Sequence, residues 1–146
     1  MIYIPSDKFI EGTLRIGTVY KFEAPEFIKT DIPHYFIVVA IDDEEIHMVK
    51  GTSQKNTKEN YFKKMGFDLG GLVCIKPDSR NGFKSDTYFD CNDNFPITKE
   101  NLIKKANNGL SCEGIISYNH YDQLRTGIRD SRKNDLPKDL LIHPED

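Results

Sequence analysis

The stretch Pro33–Gln54, PHYFIVVAIDDEEIHMVKGTSQ, decides how the rest of the chain is read. His34–Ile41 is apolar on both faces of an extended chain, the pattern of a central strand covered on both sides. Asp42–Glu45 is a run of four acids, a polar turn. Ile46–Gly51 then returns as a second extended run. Two such runs joined by a short turn predict an antiparallel β-hairpin. In that hairpin the turn lies eight residues from His34 and seven from Thr52. An imidazole and the Gly51-Thr52-Ser53 segment therefore share its open end.

Working outward, IGTVYKFE (Ile16–Glu23) reads as a strand, and APEFIKTDIP, with two prolines, as a loop. Thr57–Gly66 predicts a short helix, with Thr57 as its cap and Gly66 as its stop. Gly71–Pro77 is a strand ended by proline. Asn81-Gly82 marks a turn, and Ser85–Asn92 another strand. Pro96–Gly109 predicts a helix with Thr98 as N-cap and Leu102, Ile103 and Ala106 on its apolar face. A strand over Leu110–Asn119 follows. A last helix then opens at Ser117 or Asn119 and runs to about Arg132, with Tyr121, Leu124 and Ile128 at helical spacing. Strands with short turns, and helices inserted late, predict a mainly β fold: a small antiparallel barrel with two or three helical additions.

At 146 residues the chain suits one domain, with 1–15 as an N-terminal extension and 133–146 as a polar C-terminal tail bearing one apolar patch, Leu140–Ile142. Only 38% of residues are apolar, yet nine Phe and seven Tyr suffice for a core. No apolar run approaches the ~20 residues needed to span a bilayer, and MIYIPSDKFIEG lacks the form of a signal peptide. Both point to a cytoplasmic protein without a membrane partner. Cys74, Cys91 and Cys112 form no CxxC or zinc-type pattern and read as buried free thiols.

The net charge of −3 argues against a protein that lives on non-specific nucleic-acid binding. It is unevenly spread. Residues 50–64 hold five lysines against one glutamate, +4, which leaves −7 for the remainder. Within this segment Lys50, Lys55 and Lys58 are candidate RNA contacts, and Tyr61 a platform for an unpaired base. The alternative is an amphipathic helix that packs Tyr61 or Phe62 and Met65 while its lysines stay wet. Arg80 and Lys84, flanking the Asn81-Gly82 turn, are further phosphate candidates, or simply solvate the turn. Arg125, Arg129 and Arg132 make either a phosphate-facing stripe or the wet face of the last helix. Asp86, Asp90 and Asp93 resemble a carboxylate cluster, but Asp86 and Asp90 lie ~13 Å apart on a strand, too far to share one ion. Neither a metal nor a cofactor is expected. His47 reads as a partly exposed strand residue.

Taken together, GTVYKF, a loop, PHYFIVVA and a strand closing on VKGTSQ resemble the opening of PemK/MazF-like toxins. More loosely, ISYNHYDQLRTGIRDS is similar to that family's final strand and C-terminal helix. The likeness covers residues 16–54 and, less closely, 111–132. It implies an SH3-like barrel, metal-independent cleavage of single-stranded RNA, a homodimer and a neutralising antitoxin protein. It also implies the site: His34 at the head of the second strand, where the family carries arginine, and Thr52 with Ser53 at the end of the third. The chain departs from the family in two places. Histidine is titratable where arginine is a permanent cation, and Gly-Asp is here Gly17-Thr18.

Cleavage without a metal uses the 2′-hydroxyl as nucleophile, and so needs a base, an acid and a stabiliser of phosphorane-like charge. His34 suits the acid–base work. Thr52, Ser53 and the backbone near Gly51 suit the phosphate, and Lys50 and Lys55 supply charge. The competing readings are an ordinary strand-start histidine followed by residues that cap the next helix, a non-catalytic binding module, and an accessory or neutralising protein of a bacterial or phage system.

Overall fold

The computed structural model describes residues 4–29 and 31–141. Met1–Tyr3 of the extension, Thr30 of the first loop and residues 142–146 of the tail, including Ile142 of its apolar patch, lie outside the described residues. The described chain is a mixed α/β fold. Its strands are β1 (Thr18–Phe22), β2 (His34–Ile41), β3 (Glu45–Thr52), β4 (Leu72–Ile75), β5 (Thr87–Asp90), β6 (Phe95–Thr98) and β7 (Ser111–Ile115). Its helices are α1 (Ser6–Thr13), α2 (Lys55–Met65), α3 (Lys99–Asn107) and α4 (Tyr118–Asp130).

Every pairing is antiparallel, in the order β4-β5-β3-β2-β1-β7, and β6 lies beside the first half of β3. The hairpin of β2 and β3 is the centre of the sheet, and both its faces are covered. On one face Val19, Ile37, Val39, Val49 and Phe89 pack under Tyr121, Leu124 and Ile128 of α4. On the other, Tyr20, Phe22, Phe36, Val38 and Met48 pack against Ile10 of α1 and Leu102 of α3. This is why His34–Ile41 shows no polar–apolar alternation. A bulge at Val39 shifts the β2–β3 register from Val38↔Met48 to Ala40↔His47. The Tyr121 hydroxyl donates to the Val39 carbonyl at 3.2 Å, tying α4 to the bulge.

The two ends of the strand order approach each other. The Ile115 N–H donates to the Arg80 carbonyl at 3.0 Å, so the loop after β4 docks on β7. The approach depends on glycine. A Cβ on Gly82 would collide with the Glu113 carbonyl, and one on Gly114 with the Arg80 carbonyl.

Several expectations are corrected. There are four α-helices among the described residues, not two or three. One of them, α1, lies in the N-terminal extension, where Ile10 is wholly buried. Phe95–Thr98 is a strand and not part of a helix. The expected cap holds: Thr98 is the N-cap of α3 and accepts the Asn101 N–H. Thr57 does not cap α2. That helix opens two residues earlier and lacks a side-chain cap. Among the cysteines Cys91 alone is buried, and Cys74 and Cys112 are half-buried. Met65 is exposed, while Phe62 carries the packing of α2. Arg125 does not lie on a wet face: its side chain is 16% exposed, against 51% for Arg129.

Candidate functional site

The β2–β3 ladder carries Phe36 opposite Lys50, and β1 places Phe22 opposite His34. Residues directly opposite in an antiparallel pair share a face. Phe22 and Phe36, stacked at 4.4 Å, belong to the core under α1 and α3. His34 and Lys50 continue that face where the core ends. The β2–β3 pairing ends at Phe36 and Lys50; His34 and Thr52 lie two residues beyond it on their strands, with the same parity as that pair. The imidazole and the Thr52 hydroxyl are therefore on one side of the sheet at one end of the hairpin.

His34 is half-buried, and its Nδ1 is covered without a hydrogen-bond partner among the described residues. Burial, and then the Lys50 ammonium, hold its pKa below the usual 6.5, against a smaller opposite effect of the Ile32 carbonyl. Lys50 is also half-buried, and no carboxylate lies within 4 Å of it among the described residues. Its pKa is lowered by burial and by Lys58, with Asp93 and Asp90 opposing. The pair is a neutral imidazole beside an ammonium that water only partly stabilises.

The other sequence candidates divide. Thr52 is half-buried and accepts the Gln54 N–H at 3.1 Å, a turn at the foot of α2. That bond uses a lone pair and leaves the hydroxyl proton free to donate. Ser53 is exposed. Lys55 is exposed and pairs with Glu59 at 3.6 Å. Lys58 reaches Asp90 at 3.1 Å and lies 5.4 Å over the Tyr61 ring, so its charge is spent inside the protein. Tyr61 is half-buried against Phe62 and Phe67. Arg80 and Lys84 are exposed, without an ion pair among the described residues. Their loop meets β2 through Phe83, edge-on to Tyr35 at 5.0 Å. Tyr35 lies on the face opposite His34, so the structure does not gather these two residues with the His34–Lys50 pair.

Two features escaped the sequence. His47, expected to be partly exposed, is 3% exposed. Its Nε2 lies 3.1 Å from Asp42 Oδ2, and its Nδ1 meets Asn94 Nδ2 at 3.1 Å. With the Asn94 amide nitrogen facing Nδ1, the arrangement suits a ring proton on Nε2, directed at Asp42. This histidine clasps the turn. Asp90 and Asp93, read as a carboxylate cluster, are bases for lysines: Asp90 holds Lys58, and Asp93 holds Lys133 at 2.7 Å. Only the fold could show this, since Lys133 and Asp93 are 40 residues apart.

No helix among the described residues is long and apolar enough to cross a membrane. No protein-family model matches the chain, and none of the curated proteins matches it.

Proposed function

We propose that this protein is a PemK/MazF-like ribonuclease that cleaves single-stranded RNA without a metal. The single observation that carries the reading is the His34–Lys50 pair: two half-buried basic groups on one face of the central hairpin, with no carboxylate within 4 Å of either among the described residues. His34, neutral at pH 7, takes the 2′-hydroxyl proton. The phosphorane-like charge forms beside Lys50, whose lowered pKa makes it a better proton donor to the leaving 5′-oxygen than an ordinary lysine. The Thr52 hydroxyl donates to a non-bridging oxygen, and Ser53 and Lys55 flank the strand. Replacement of arginine by His34 divides the work: the histidine does the proton transfer, and Lys50 supplies the fixed charge.

The same proposal takes the sheet as a partly open SH3-like barrel, whose ends meet through the Ile115–Arg80 bond. It makes the protein a cytoplasmic homodimer with an antitoxin protein as partner. The test is incubation of the purified protein with mixed-sequence single-stranded RNA in EDTA, beside His34→Ala and Lys50→Ala. Cleavage by the parent, with at least about a hundredfold loss in each variant, supports the reading. Intact RNA across pH 5 to 9 points to the non-catalytic binding module.

A further inference from the structure

Between the C-terminal half of α4 and the turn joining α2 to β4 lies a cleft of about 590 Å³. Met65 and Phe67 form one wall, Thr126 and Asp130 the other, and Asn92 and Gly71 lie between them. Asn92 is 7% exposed. Its Oδ1 accepts the Ser131 hydroxyl at 2.7 Å. Ser131 Oγ itself accepts the N–H groups of Lys133 and Asn134, at 3.2 and 3.1 Å. Its one proton must therefore go to Asn92, which fixes the amide orientation. Asn92 Nδ2 is left buried with no partner among the described residues. A buried donor without an acceptor needs an explanation.

The rest of the cleft supplies one. Asp68 spends Oδ1 on the Gly70 N–H at 2.9 Å, and Oδ2 makes no hydrogen bond among the described residues. Asp130 adds a second carboxylate, 67% exposed, whose Oδ1 accepts from Arg129 Nε at 3.4 Å and whose Oδ2 faces no ion-pair partner among the described residues. Arg132, at the rim, is exposed and has no ion pair among the described residues. Met65 and Phe67 offer apolar surface. The cleft therefore matches a flat ring with one carbonyl acceptor, two adjacent N–H donors for a carboxylate, and an anionic tail for the guanidinium. Among the common nucleobases, guanine alone presents a carbonyl beside two such donors. Adenine places a donor where the carbonyl is needed, and uracil has a single N–H.

We propose that this cleft is a guanine-base site. As a subsite for RNA it rests on the ribonuclease reading; as a site for the base it does not. The turn after β5 links the two places. The Asn92 N–H donates to Asp90 at 2.9 Å, and Asp90 holds Lys58 beside Lys50.

The test uses the full chain with the nucleoside guanosine and with guanosine, adenosine, cytidine and uridine monophosphates, by titration calorimetry and amide NMR. It adds two single-stranded RNAs of equal length, one with guanine and one without. Asn92 supports the fold, so the variants are Thr126→Arg, which fills the cleft from α4, and Arg132→Ala. The guanine nucleotide should bind at least about tenfold more tightly than the other three, with shifts at Gly70, Gly71 and Asn92. Thr126→Arg should abolish binding, and Arg132→Ala should weaken the nucleotide but not the nucleoside. Binding of the free nucleotide alone, or of the guanine-containing RNA as well, assigns the source and supports the site. Equal binding of all four, no binding of any, or binding unchanged in Thr126→Arg overturns it. Guanine binding by a protein that leaves RNA intact keeps the site and removes the nuclease. Cleavage without nucleotide binding does the reverse.

Discussion

Lys58 Nζ stands 3.1 Å from Asp90 Oδ2, and the aspartate side chain is only 5% exposed. The contact joins α2 to β5 across 32 residues. It ties down one of the five lysines between residues 50 and 64, while Lys50, nearby on β3, has no carboxylate within 4 Å among the described residues. A buried pair costs most when one partner is removed and the other is left charged and dry. Lys58→Met should therefore lower the unfolding free energy by about 3 kcal/mol in urea. Lys58→Met with Asp90→Asn should recover part of that loss. A cost below about 0.5 kcal/mol would place the pair among ordinary surface contacts.

His34 makes stability depend on pH. Its folded pKa lies below the unfolded 6.5, so the folded state binds fewer protons between the two values. Stability contributed by the neutral imidazole is complete above 6.5 and is lost as pH falls below it towards the folded pKa. His34→Gln should flatten this part of the stability curve, measured by denaturation from pH 7.5 to 5. Equal slopes for parent and variant would mean that burial and Lys50 do not act on the ring.

A second acid limb belongs to Asp42. Its carboxyl is held down to about 2, chiefly by the Glu45 N–H, with His47 and the Glu44 N–H adding to it. Its contribution is present above the unfolded 3.8 and is lost as pH falls from 3.8 towards 2. Asp42→Ala should remove that limb and also free His47 Nε2. In NMR spectra at fixed pH the His47 ring nitrogens should then change their tautomer balance.

Gly127 of α4 faces Cys91. A Cβ there would come within 2.7 Å of the thiol sulfur. Burial pushes this thiol up to about 12, so it acts as a small apolar group. Gly127→Ala should destabilise by about 1–3 kcal/mol, and Cys91→Ala in the same chain should relieve most of it. An additive double mutant would show that the helix shifts as a whole and does not press on the sulfur.

The central hairpin was legible because two independent signals agree there: an apolar run too regular for a loop and a four-acid turn. The covering of both its faces followed from the same run. Less could be read where local signals conflict with tertiary ones. Phe95–Thr98 contains Pro96 and leads into a helix, and only pairing with β3 makes it a strand. Ser6–Thr13 has no side-chain cap and is held by burial of Ile10 in a core built from distant strands. In the site, the placing of His34 and Thr52 at the same end of the hairpin followed from hairpin arithmetic. The distinction between Lys50 and Lys58 did not. Both are lysines in one basic run, and they differ only because Asp90 arrives beside α2 from another part of the chain.

The chemistry of the RNA ends tests the account most directly. Attack by the 2′-hydroxyl leaves a 2′,3′-cyclic phosphate on one fragment and a 5′-hydroxyl on the other. With purified protein in EDTA, mass spectrometry of the fragments should find those ends, and His34→Ala and Lys50→Ala should each abolish them while retaining the parent circular dichroism spectrum. Fragments with 5′-phosphates, or cyclic ends undiminished in His34→Ala, would contradict a site built on His34.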